Sequence, residues 1–477
     1  MYKQQYKLAE DYELARGVEK DESQAFQLYS QLAIHGYAPA QYKLGKMYLD
    51  NLFCALYKQV FFKDSLLPGV IEQLKQSANI DDDIFAQFAL DRVYECNIYN
   101  AKKLFELAVV QGNSDAQCAL GEIYAKGNKW VAKDLDNAIE LYQKAIEQGN
   151  IAAKFKLSEV YIVKNNIEQA VVLCKEAASA GYAPAQYSLA IRCDTDDGVE
   201  KDAGLAAELC KKAAYGWYAP AQYDFAVRCD TGNGINKDEN MATYFYLKAA
   251  EQGYAKAQNT MGLKYANGQN VNKDCVKAIE WYRKAAAQDD PDAQFNLAEI
   301  YNSGYDQVVP DVQKAAKLYR KAANQDHANA QFNVGVMYSS LAALITINDD
   351  YNPNNENEIL KDYHKSAAKW YLKAAIQNHP DAQYHLALIY MVGTVVTKSN
   401  QIAAKWYERA ASQGHAVSQY NLGVMYSSGD GIVKDEFKAT ECFQKAAENG
   451  VGAAMFNQRT ENQLSTTANK IKLKVSY

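Results

Sequence analysis

The chain has 477 residues, 48% hydrophobic and 23% charged, with a formal net charge of -6. An acidic balance excludes the basic stripe that duplex nucleic acid binding needs, and no run of roughly 18 apolar residues is available to cross a membrane. Nine scattered cysteines do not make a secreted disulfide framework. No apolar leader follows Met1, so the chain reads as cytoplasmic and reduced, with export by another kind of signal left open.

The organising feature is internal repetition. Ala-Gln recurs as Ala40-Gln41, Ala86-Gln87, Ala116-Gln117, Ala185-Gln186, Ala221-Gln222, Ala257-Gln258, Ala293-Gln294, Ala330-Gln331 and Ala382-Gln383, with Ala153-Lys154 and Ser418-Gln419 as variants. From Ala185 to Ala221, Ala257 and Ala293 the step is 36 residues each time. With offsets counted from that Ala, positions 0, +4, +5 and +8 fall on one helical face, as in Leu297, Ala298 and Tyr301. A glycine turn follows, as in Gly232 and Gly234 or Gly429 and Gly431. A phrase of aliphatic-x-Lys-Asp then opens a second helix, with Asp21, Asp134, Asp202, Asp238, Asp274 and Asp435 as N-caps. That helix carries an apolar stripe such as Ala278, Trp281, Tyr282, Ala285 and Ala286. It ends at a left-handed glycine such as Gly253, Gly414 or Gly450. Pro39, Pro184 and Pro220 suit the first turn of the next helix. Ser114-x-x-Gln117 reads as a capping box, which would explain the recurrent glutamine. One helical pair cannot bury its own stripe, so neighbours must stack. The expected fold is all-α, an alpha/alpha superhelical solenoid of about twelve helix-turn-helix repeats of ~36 residues.

In chain order, residues 1–39 form the first repeat, which begins without a polar capping unit; either its capping is minimal or the chain is part of a longer protein. Two divergent repeats occupy 40–115, including the apolar stretch Leu52 to Phe62, read as drifted repeats or as a patch for a partner. Regular repeats fill 116–339. The next step, from Ala330 to Ala382, is longer, and an insertion loop is expected over 340–362, with the Asn-, Asp- and Glu-rich tip Asn348 to Glu358. Regular repeats resume over 363–453. A C-terminal capping helix and tail take 454–477, with a basic cluster from Lys470 to Lys474 that reads as a solvated tail.

No catalytic or metal motif is present. There is no His-Glu-x-x-His, Gly-x-Ser-x-Gly, Walker-type loop or paired Cys-x-x-Cys. Gly232-x-Gly234 lacks the strand and third glycine of a phosphate-binding turn. Four of the six histidines fall at repeat junctions. Cys193 and Cys229 replace the +8 tyrosine of adjacent repeats, and Cys174 and Cys210 replace the second-helix tyrosine. All four read as buried free thiols. No cofactor and no metal are expected, and the chain reads as no enzyme.

The pattern Ala-Gln-x-x-Leu-Gly-x-x-Tyr, then Gly-x-Gly-Val-x-x-Asp, then Lys-Ala-x-x-Trp-Tyr-x-Lys-Ala-Ala-x-Gln-Gly resembles the Sel-1-like repeat, a relative of the tetratricopeptide repeat. The resemblance covers nearly the whole chain. It implies adaptor and scaffold roles: endoplasmic-reticulum degradation complexes, bacterial signalling and host interaction, or chitin-synthase regulation. Some bacterial relatives are cross-linked between their two helices, which would make a Cys193–Cys210 bridge conceivable. Relatives linked to beta-lactam binding or hydrolysis supply an enzymatic alternative, and a bacterial effector or effector-regulator is a third reading.

The resemblance further implies that binding uses the concave face, lined by first helices. At 100° per residue the core offsets centre near about 65°, and offsets +3 and +6 point away from them. The expected protein-binding residues are Ile191, Asp224, Val227, Leu263, Asn296, Asn333, Val336, His385, Leu388, Asn421 and Val424. Alternating polar and aliphatic side chains at fixed intervals suit other proteins or extended peptide segments. Packing of +6 against the neighbouring unit is the competing reading.

Overall fold

The computed structural model describes residues 2–49, 98–129, 131–304, 308–347 and 358–451. The stretch Leu52 to Phe62, the pair Ala86-Gln87, the loop tip 348–357 and the expected C-terminal helix and basic tail lie outside the described residues. Contacts divide the chain into two compact units, Met1–Ala242 and Thr243–Tyr477. Among the described residues each unit is an all-α repeat solenoid without strands. In each, helices pack on their predecessor and successor in the chain, as Ser114–Lys126, Leu135–Glu147 and Ile151–Val163 do in the first unit.

The caps follow the phrase that announces them. Asp134, Asp202, Asp238, Asp274 and Asp435 each accept the backbone N–H three residues on at 2.9–3.0 Å. Asp21 accepts from Ser23 and Gln24. Each of these residues also donates its own N–H to the last turn of the preceding helix, as Asp202 does to Cys193 O and Asp274 to Tyr265 O. The cap therefore ends one helix and starts the next, fixing the hairpin. At the N-cap positions of Asp134 and Asp274 the backbone amides of Asn137 and Lys277 hold the carboxyl below its ordinary value.

Alanines at offset 0 are fully buried from Ala40 to Ala382 wherever described. Tyr282, Tyr319, Tyr371 and Tyr407 fill the space between the helices of each hairpin. Burying each such ring contributes on the order of 2 kcal/mol. The small residue at +5 makes room for them: a Cβ on Gly262 would sit 2.5 Å from Tyr282 Cε1.

Gln117 does not close a capping box. The helix Ser114–Lys126 is capped by Asn113, whose Oδ1 accepts from Ala116 N. The recurrent glutamine bonds across repeats instead. Its Nε2 donates to a carbonyl eight residues back at the end of the preceding second helix, as in Gln41 to Ala33, Gln222 to Ala214, Gln331 to Ala323 and Gln383 to Ala375. Its Oε1 accepts from the residue that ends the following second helix, as in Gln377 to Gln331 and Gln413 to Gln383. Each clamp thus ties two successive second helices together through a buried amide, satisfying carbonyls that a helix end leaves open.

The insertion is narrower than the expected 340–362 loop. Helices Ala328–Ile347 and Glu358–Ile376 extend into it from both sides. Leu341 to Ile345 are apolar with good helix formers among them, so the helix continues, and Ala342 is fully buried. Cys174, Cys193, Cys210 and Cys229 are buried free thiols, so Cys193 and Cys210 are not bridged.

Candidate functional site

The first-helix offsets place the expected binding residues in varied settings. In the first unit Ile191 is exposed and Val227 half-buried. Asp224 is engaged internally: its Oδ2 accepts from Arg228 Nε at 3.2 Å and from Cys210 Sγ at 3.4 Å. Arg228 also bonds Asp194. In the second unit Leu263 and Val424 are exposed, whereas Val336 and Leu388 pack partly against core clusters. Asn296 donates to Asn259 Oδ1 at 3.0 Å. Asn421 bonds Tyr407. His385 stacks on Tyr371, with ring centres 4.9 Å apart, and shares a cavity of about 220 Å³ with Leu388. Burial lowers the His385 imidazole below its ordinary value.

Asn333 and Val336 come together in a larger groove of about 840 Å³ within the second unit. Helix Pro291–Ser303 supplies Phe295 and Glu299, and helix Ala328–Ile347 supplies Phe332, Asn333, Val336 and, on its extra turns, Leu341 and Leu344. Glu299 stands at +6 of its repeat, the offset that carries the aliphatic Ile191, Val227, Leu263, Val336, Leu388 and Val424 in other repeats. The same spacing would have found it. Its Oε1 accepts from Asn333 Nδ2 at 2.8 Å and from Tyr319 Oη at 2.5 Å. Burial, and then the bond to Glu299, push the Tyr319 hydroxyl well above its ordinary value, keeping it a donor. Phe295 and Phe332 stack on His327 and His379 at 4.7 and 4.6 Å, which fixes both rings at the groove wall.

A second groove, of about 560 Å³, lies on first helices of the first unit. It too holds a +6 glutamate, Glu122. There Lys126 and Lys156 approach the carboxylate at 2.7 and 3.4 Å. Burial pushes Glu122 up, but the bond from Lys126 and the charge of Lys156 outweigh it and hold the carboxyl below its ordinary value.

Two-helix repeats with glutamine clamps between them define an α-helical repeat solenoid. No helix among the described residues is long and apolar enough to cross a membrane. The chain belongs to the Sel1 repeat family, whose sequence model matches at 5–37, 38–50, 114–150, 157–182, 183–216, 219–254, 255–290, 291–327, 356–379, 380–415 and 416–451. Sel1 repeat proteins generally act as protein-interaction scaffolds, and their fold is typically non-catalytic. Among solved structures the chain is similar to c5321, a protective antigen of uropathogenic Escherichia coli with an SLR fold. That match has 26% identity and a TM-score of 0.60, covering 97% of this chain and 88% of the other. It is also similar to a Sel1 repeat protein from Oxalobacter formigenes, with 25% identity, a TM-score of 0.48 and coverage of 71% and 93%. No curated protein matches the sequence.

Proposed function

We propose that this protein is a non-catalytic scaffold that binds other proteins through the first-helix face of its repeats. The observation that carries the reading is the second-unit groove. Its wall mixes apolar and polar side chains, it is open to solvent, and it includes Asn333 and Val336 at the repeating +3 and +6 offsets. Exposed aliphatic residues at the same offset, such as Leu263 and Val424, supply further contact surface. An extended segment would lay its backbone on the amides and its side chains between the aliphatic positions.

The test is capture of partners from a lysate of the source cells, identified by mass spectrometry, with wild type and the double variant Asn333→Ala, Val424→Asp. The expected result is a specific set of captured proteins depleted by the variant, with helix content and melting temperature unchanged. Loss of folding would assign these residues to the core. An unchanged set would remove the first-helix face from the reading.

A further inference from the structure

Four +6 positions of the described first helices carry glutamate: Glu10, Glu122, Glu159 and Glu299. Glu122 and Glu159 are paired with lysine within the chain. Lys156, at +3 of the repeat after Glu122, lies 3.4 Å from Glu122 and 3.0 Å from Glu159. The first repeat has a related arrangement at +9, where Glu13 accepts from Tyr29 Oη at 2.8 Å and from Lys43, also a +3 residue, at 3.0 Å. A +3 lysine thus pairs with a carboxylate late in a first helix at each of these sites: with Glu122 and Glu13 from the next repeat, and with Glu159 from the same one.

Glu299 differs from these three carboxylates. A second-helix tyrosine donates to it, as at Glu13, but the +3 residue of the next repeat is Asn333, which is neutral. Among the described residues no lysine or arginine lies in ion-pair contact with Glu299, and none lines its groove. Asn333 and Tyr319 hold the carboxylate in place while adding no positive charge. A fixed, half-buried anion between aromatic walls favours a cation, which gains from both the charge and the ring faces.

We propose that the Glu299 groove binds an extended segment of a partner protein that presents a lysine or arginine side chain to Glu299, flanked by aliphatic residues seated against Val336, Leu341 and Leu344. This rests on the scaffold reading and specifies its partner chemistry. The incoming cation takes the place that Lys156 occupies beside Glu122.

The test uses the full chain to select binders from a phage-displayed library of random linear peptides, alongside Glu299→Gln and Asn333→Lys. The lysine variant is the decisive one, because it installs the intramolecular cation already tolerated at the same offset in the first unit. Wild type is expected to enrich peptides with one fixed basic position. A synthetic copy of such a peptide should bind both variants about tenfold or more weakly, as should its basic-to-Gln analogue to wild type. Circular dichroism should match wild type throughout. Enriched peptides without a basic position, or a basic peptide that binds Asn333→Lys as well as wild type, would overturn this proposal and leave the scaffold reading standing. No enrichment at all would overturn both.

Discussion

His415 and Asp381 meet across a repeat boundary: the imidazole Nε2 lies 3.1 Å from the carboxylate Oδ1, while Nδ1 accepts the Ser418 amide that opens the next helix. His327 does the same with Asp292 at 3.3 Å and the Ala330 amide at 3.1 Å. In the first unit Asn150 plays the part, capping Ala153 and donating to Asp115 at 2.9 Å. At these three junctions the residue three before the repeat alanine is both a helix cap and a link to the preceding repeat, whereas Tyr182, Tyr218 and Tyr254 hold that place without a side-chain capping bond. A histidine can serve only while Nδ1 is unprotonated, because an N–H there cannot accept.

That condition makes the histidine caps sensitive to acid, and His379 is where the direction is clearest. It caps Ala382 through Nδ1 at 3.3 Å and stacks on Phe332. Burial lowers its imidazole below the ordinary 6.5, against the opposing pull of Asp381. A base lowered in the fold binds fewer protons folded than unfolded, so stability is complete above about pH 6.5 and falls as pH drops below it. His379→Asn keeps a capping oxygen with no proton to gain. Urea titrations of the second unit's transition between pH 7.5 and 5 should show a smaller loss for His379→Asn than for wild type. Equal losses would place the acid sensitivity elsewhere.

The glutamine clamps should be costly to remove. Gln331 is completely buried. Its amide donates to Ala323 O at 3.1 Å and accepts from Gln377 Nε2 at 2.8 Å. Gln331→Ala leaves a buried carbonyl and a neighbouring amide without those partners, at about 1–3 kcal/mol. Chemical denaturation should show that loss, with a larger effect than Gln377→Ala, whose side chain reaches solvent. A loss below the effect of Gln377→Ala would mean that water replaces the clamp.

The hairpin was legible in the sequence because its signals are local. Asp274 caps a helix three residues ahead, and Gly253, Gly414 and Gly450 adopt positive φ where each helix ends. The role of the glutamines was not legible. Gln331 is satisfied by Ala323 in the repeat before and by Gln377 beyond the insertion of its own repeat, so the helix that carries it shows neither partner. Glu299 was hidden differently: its spacing was visible, but its meaning depends on Asn333 standing where Lys156 stands in the first unit. The insertion was read as loop because its polar tip dominated, while the apolar residues from Leu341 onward continued the helix.

Arg228 poses a question of charge that periodicity cannot address. At +7, where Ile123 and Met425 are apolar and buried, the chain buries a guanidinium. It holds Asp224 through Nε and Asp194 of the preceding repeat through its terminal nitrogens. The small Cys229 beside it, in place of the usual tyrosine, accompanies the substitution. Arg228→Met removes the cation and leaves two part-buried carboxylates facing each other, which should cost about 3 kcal/mol, the lower end of the range for a broken buried pair because both acids retain some solvent. Adding Asp194→Asn and Asp224→Asn should return more than half of that loss, since the damage comes from the stranded anions rather than from the missing attraction. Denaturant midpoints of the single and triple variants decide the matter. A triple variant no more stable than Arg228→Met would show that the guanidinium is needed for its packing, and that the two aspartates are incidental to the cost.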